Sequence, residues 1–186
     1  MITGTMTSMV HQILQPMIQV GQLFIDATVG NGYDTVFLAK LVGKTGSVIG
    51  FDIQEEAILA TAKKLKEEKA DHQVKLIQDS HAHLDQYVTK PIDGAMFNLG
   101  YLPKGDKTKI TMPQSTIEAI KKSVILLKPK GIITIVSYYE HEGGEEEKRQ
   151  VEKYLQALDE KKMVVGRFNY FNRTKCPPIL YIIQKK

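Results

Sequence analysis

At 186 residues, 42% hydrophobic and 25% charged, the chain is long enough to bury a core without metal or disulfide staples, and its mixed composition excludes a disordered or low-complexity protein. A formal net charge of +4 favours a polyanionic partner but falls short of the concentrated basic arms of dedicated nucleic-acid binders. The lone Cys176 excludes an intramolecular disulfide and a thiolate zinc site, and no apolar run approaches the roughly 20 residues of a membrane span.

The chain begins without the basic-then-apolar pattern of a secretion signal, so a cytoplasmic protein forming one domain, residues 1–186, is expected. In chain order, an N-terminal helix is predicted around "MVHQILQPMI" (9–18), followed by a β-rich run at "LFIDAT" (23–28) and a helix at 34–43. A second strand, "SVIGFDI" (47–53), precedes a helix over 54–70, and a third, "VKLIQD", covers 74–79. "DGAMFN" (93–98) is the fourth strand, 112–131 a helix stopped by Pro-Lys-Gly, and "IITIVSYY" (132–139) the fifth strand. After a helix at 143–161, the runs 163–171 and 178–184 are too close for a parallel crossover and should pair as an antiparallel hairpin at a sheet edge. Alternating strands and helices with a terminal hairpin describe an α/β domain of seven strands, the class I methyltransferase (Rossmann-like) core, with helices on both faces.

The chemistry should gather where the strands end. Gly30-Asn31-Gly32 lies between a strand and a helix, where glycines let backbone approach a ligand and a helix N-terminus offers unpaired N–H groups. A dinucleotide fingerprint would require a third glycine where this chain has Thr35, and Asp34 suits an ammonium better than a pyrophosphate. Asp52 follows about 20 residues later, at the usual place for a carboxylate that accepts ribose hydroxyls; the same residue could instead cap the helix that follows. Asp79-Ser80-His81 closes the third strand, beside which an adenine would lie. His81 and His83 have no third ligand in reach by sequence, so no metal is expected. Asn98-Leu99-Gly100-Tyr101 ends the fourth strand with the outline of the Asp/Asn-Pro-Pro-Tyr/Phe motif of amino-methyltransferases, although Asn98 and Gly100 could simply turn the chain and Tyr101 cap the core.

With "DATVGNGYDT", "DSHAHL", "FNLGYLPKGDK", "YYEHEGG" and "NRTKCPPILYIIQKK" in this order, essentially the whole chain resembles the YtqB-like (MnmM) methyltransferases. That family carried the label of rRNA methylases and is associated with methylation of 5-aminomethyl-2-thiouridine in tRNA. The resemblance implies S-adenosylmethionine as cofactor, tRNA at its anticodon region as partner, and transfer of a methyl group to the primary amine of the wobble aminomethyl group. Carried over by position, Asp26, Gly30, Asn31, Gly32, Asp34 and Thr35 would surround the methionine moiety, Asp52 and Gln54 the ribose, and Asp79, Ser80 and His81 the adenine. His11 matches a family histidine over the same pocket.

Asn98 would orient the amine through its amide oxygen, Tyr101 would pack on the modified uridine, and His141 would accept a proton or touch the base. Gly100, Lys104, Lys107 and Arg173 fall on the substrate side, where Lys109, Arg167 and Lys175 add positive charge for phosphates. The chain departs from related motifs at Tyr33, often His, and at Tyr139-Glu140, often Pro-Gly, both of which bear on substrate geometry. A homodimer would extend the basic surface. The other readings are a small-molecule or rRNA methyltransferase, a nicotinamide enzyme and a noncatalytic binding module.

Overall fold

The computed structural model describes residues 4–100, 113–173 and 175–186. Helix α1 (Met6–Leu14) opens on Thr5, whose hydroxyl accepts the Ser8 N–H at 3.2 Å, and buries Met6, Val10 and Leu14 at the four-residue spacing of one helical face. It starts three residues before the predicted 9–18 helix and stops at Leu14: Gln15 still has helical backbone (φ −50°, ψ −47°), but Pro16 has no N–H with which to extend the ladder.

Strands β1 (Leu23–Asp26), β2 (Ser47–Asp52), β3 (Val74–Gln78), β4 (Ile92–Leu99), β5 (Leu127–Ser137), β6 (Met163–Phe168) and β7 (Ile179–Lys185) form one sheet in the order β3-β2-β1-β4-β5-β7-β6. β1 to β5 are parallel; β7 runs antiparallel to both β5 and β6, as the short separation of the last two runs requires. Successive side chains go to opposite faces, so Ile25 and Phe97 join one core layer with Phe51, Ile120, Ile135 and Val151, while Phe24 and Met96 join the other with Leu38, Val48 and Leu180. Helix α1 closes this second layer.

The connecting helices are α2 (Tyr33–Val42), α3 (Glu55–Glu67), α4 (Leu84–Tyr87), α5 (Pro113–Leu126) and α6 (Gly144–Gln156). α5 ends at Leu126, not at 131: Lys128 precedes Pro129, Lys130 takes a φ of 65°, and Leu127 already pairs with Ile92 as the first residue of β5. The link from β3 to β4 holds a 3-10 turn (His81–His83) and α4, both too short to show helical periodicity in sequence. Among the described residues no helix is long and apolar enough to cross a membrane.

The strand order reverses between β1 and β4, which lie side by side although their connections leave in opposite directions. Ligands of open α/β sheets bind outside the carboxyl ends of the strands at such a reversal. Asp26, Asp52 and Asn98 stand at those ends.

Candidate active site

The loop leaving β1 turns through Gly30 (φ 51°) and Gly32 (φ 75°), and Gly32 is the N-cap of α2 without any side-chain cap. The first amides of α2 therefore face the crevice as a cradle for a carboxylate. Thr61 of α3 fills the space over Gly32, so a Cβ built there would stand 2.5 Å from Thr61 Oγ1 and 2.7 Å from its Cγ2. Gly32→Ala, combining a left-handed backbone with this overlap, is expected to lower stability by about 2 kcal/mol or more in urea unfolding, and Thr61→Ala in the same chain should recover the steric part.

Three strand-end groups, Asp26, Asp52 and Asn98, and Asp34 of α2 surround this loop. Asp52 accepts the Gly30 N–H through Oδ2 (2.8 Å) and the Gln54 N–H through Oδ1 (2.9 Å), which ties the glycine loop to β2 and leaves each oxygen a second lone pair. The N-cap of α3 is Gln54, not Asp52. Asp26 is fully buried, taking the Thr35 hydroxyl at 2.6 Å and the Thr28 N–H at 3.1 Å. Burial, then the charge of nearby Asp34, pushes its carboxyl up to about 7, against the two hydrogen bonds.

Asp34, in the first turn of α2, has both oxygens engaged: Oδ1 lies 2.5 Å from His11 Nε2, and Oδ2 accepts from Asn98 Nδ2. The His11 ring stacks flat on Phe37 with centroids 3.8 Å apart. Because the carboxylate claims the amino side of the Asn98 amide, the flip of that amide is set and its oxygen is aimed away from Asp34. Asn98 Oδ1 is buried without a hydrogen-bond partner among the described residues, and the Asn98 backbone N–H is held by Thr28 Oγ1 at 2.7 Å. A partnerless buried acceptor costs about 1–3 kcal/mol of desolvation, so this oxygen is held ready for a donor.

The adenine-side candidates sit at the end of β3. Asp79 takes the Ser80 N–H (2.7 Å), the His83 ring (3.0 Å) and the Tyr87 hydroxyl (2.8 Å); the His83 bond leads in holding its carboxyl below the ordinary range, against partial burial. The Ser80 hydroxyl caps the following turn at Ala82 N–H. His81 is buried, with Nδ1 donating to the Ala27 carbonyl at 2.9 Å and burial holding the ring below its usual pKa, so the neutral ring keeps a buried Nε2 lone pair that has no partner among the described residues. Asn31 contributes its carbonyl to Lys64 Nζ at 2.5 Å. Among the described residues no group of three or more His, Cys, Asp or Glu is placed to hold a metal ion.

On the substrate side, Gly100 packs against Tyr138, a Cβ there falling 3.3 Å from Tyr138 Cβ, and the Tyr138 N–H donates to the Leu99 carbonyl at 2.9 Å. His141 follows in the turn after β5, its Nδ1 3.0 Å from the Glu142 carbonyl. Arg173 lies on the Tyr170 ring, 3.8 Å from its centroid. Tyr101, Lys104 and Lys107 lie outside the described residues, as does Lys109. Sequence reasoning missed Thr28, Thr61, Lys64 and Tyr87 and weighed His83 only as a metal ligand; a threonine two residues past an acid-ended strand was the one visible cue.

Comparison with known proteins bears on this arrangement. Residues 48–184 match the model of a family described as "Putative rRNA methylase". The chain belongs to that family. A rRNA methylase of this description from Clostridium thermocellum superposes at a TM-score of 0.96 with 44% identity, each chain covered fully. A methyltransferase from Streptococcus mutans, solved with S-adenosylhomocysteine (SAH), superposes at 0.90 with 39% identity, again over both full chains. The tRNA (mnm(5)s(2)U34)-methyltransferase of Arabidopsis thaliana chloroplasts is 35% identical over 190 residues, 97% of this chain and 69% of that protein. This chain is an S-adenosylmethionine-dependent methyltransferase with the class I fold. A left-handed glycine cradle, a buried carboxylate for an ammonium and a strand-end aspartate with spare lone pairs suit that cofactor.

Proposed function

We propose that this family member methylates the primary amine of 5-aminomethyl-2-thiouridine at the wobble position of tRNA. The 35% identity to the Arabidopsis tRNA methyltransferase supports the substrate, and one observation carries the chemistry: the buried oxygen of Asn98 at the end of β4, which has no hydrogen-bond partner among the described residues.

S-adenosylmethionine, when bound, supplies a methyl group on a positively charged sulfur. The chain's own task is to present a neutral amine in line with it, and alignment can contribute roughly 7–11 kcal/mol of barrier lowering. An alkylamine of pKa about 10.4 is neutral in only about one molecule in a few thousand at pH 7, so the site must favour the neutral form. In this reading Asn98 Oδ1 accepts one N–H of the amine and thereby points its lone pair, while Asp34 holds the Asn98 amide in register from behind. Asp26 faces the cofactor's ammonium, Gly30, Asn31, Gly32 and Thr35 shape the methionine end, Asp52 and Gln54 take the ribose, and Asp79, Ser80 and His81 border the adenine. Tyr101 packs on the uridine, and His141, in the turn after β5, receives the proton. Gly100, Lys104, Lys107 and Arg173 meet the RNA.

Incubation with labelled S-adenosylmethionine and tRNA lacking the final methyl, followed by nucleoside mass spectrometry, is expected to show methylaminomethyl-thiouridine. Label recovered only in rRNA or in a small molecule, or no gain of that nucleoside, would overturn the assignment.

A further inference from the structure

From the last residue of β6 toward β7 the chain combines three aromatic residues and two exposed cations in eight positions, "FNYFNRTK" at 168–175. Because β7 is antiparallel to both neighbours, β6 runs in the same sense as β1 to β5. The chain therefore leaves Phe168 at the carboxyl end of the sheet, the end that carries Asp26, Asp52 and Asn98.

Two of its aromatic rings serve the fold. Phe168 and Tyr170 cross edge to face at 5.6 Å and pack on the layer that contains Met6, Val10 and Leu14 of α1, the helix that brings His11 to Asp34. Tyr170 is also the bed for the Arg173 guanidinium. A guanidinium stacked on a ring keeps its N–H edge pointed outward in a fixed plane. Phe171 does the opposite of its neighbours and is 100% exposed. Burying a phenylalanine side chain is worth about 1.5–3 kcal/mol, and this loop leaves that stabilisation unused while anchoring the two rings that precede it. Arg173 and Lys175 follow it, both exposed.

A fully exposed ring followed within four residues by an oriented guanidinium and a lysine has the recognition chemistry of single-stranded RNA, in which an unstacked base lies on an aromatic face and cations hold the phosphates beside it. Duplex RNA offers no free base face to such a ring. We propose that Phe171 is a stacking platform for an unpaired base of the RNA loop that carries the target nucleotide, with Arg173, set by Tyr170, on the adjoining phosphate. The proposal rests on the tRNA reading above.

The test is fluorescence anisotropy with a labelled, undermethylated anticodon stem-loop, alongside calorimetry with SAH. Phe171→Ala should weaken RNA binding about tenfold, as loss of one base–aromatic stack does, with unchanged SAH affinity and thermal midpoint, and Phe171→Trp should restore it. Arg173→Ala should lower the slope of log affinity against log salt by about one, whereas Phe171→Ala should leave that slope intact. Equal RNA affinity of Phe171→Ala and wild type overturns the platform alone, as does a Phe171→Ala loss accompanied by weaker SAH binding or a lower midpoint. A wild-type protein that neither binds nor methylates the stem-loop overturns the tRNA reading and the platform with it.

Discussion

Asn98→Ala is expected to lower kcat about 100-fold while SAH affinity stays within about twofold of wild type, the loss expected when a reacting group is misplaced by about 1 Å. The reason lies in how the side chain is held. Thr28 fixes its backbone N–H, Asp34 takes its amino group, and the oxygen is left buried with nothing to accept from among the described residues. Alanine removes the acceptor without touching Asp26 or Asp52. Asp34→Asn supplies the complementary test: with an amide in place of the carboxylate, the Asn98 amide is no longer forced into one flip, so kcat should fall while KM for RNA changes little. Single-turnover rates with saturating cofactor separate the two. Full turnover by Asn98→Ala, or a loss of Asn98→Ala activity explained by a lower thermal midpoint, would remove Asn98 from the reaction.

The frame of this site was legible because polar residues interrupt the apolar runs of β1, β2 and β4 at Asp26, Asp52 and Asn98, near the rim of the sheet. The hairpin was legible from spacing alone. What the sequence hid was long-range pairing. Asp34 reads locally as an acid at a helix start, a favourable place for negative charge, yet its partners come from 23 residues before it and 64 after it. Thr61 is unremarkable until α3 folds over Gly32. The misplaced end of α5 had a local cause that was present in the sequence, Lys128 before Pro129, but the apolar run continuing into 127 masked it. Phe168, Tyr170 and Phe171 look equivalent as letters. Only the pleat of β6 and the turn after it send two rings inward and leave one in solvent.

Asp26→Asn should produce two changes of opposite sign. Burial, with Asp34 next, raises the Asp26 carboxyl from 3.8 to about 7, so in the folded protein it holds a proton through much of the mildly acidic range where the unfolded chain has released it. The folded state then binds more protons than the unfolded state between those values. Stability from this group is complete below pH 3.8 and is lost as pH rises to about 7. At pH 8 the wild type carries a buried carboxylate facing Asp34, and the neutral amide relieves both costs, so the ligand-free variant should melt higher than wild type at pH 8 and similarly at pH 5. Ligand binding should respond the other way. An ammonium placed beside Asp26 favours its ionised form, so SAH affinity of wild type should climb as pH rises from 6 toward 7.5, with proton release visible as buffer-dependent heat in calorimetry. The climb ends once Asp26 is fully ionised in the unliganded protein as well. Asp26→Asn should bind SAH about tenfold or more weakly at pH 7.5, the loss expected for one charge-assisted hydrogen bond, and should show no acid limb. A pH-independent wild-type affinity, or a variant that binds as well as wild type, would place the ammonium elsewhere, whereas a variant that lost both affinity and stability at pH 8 would make Asp26 a structural group whose burial the glycine loop requires.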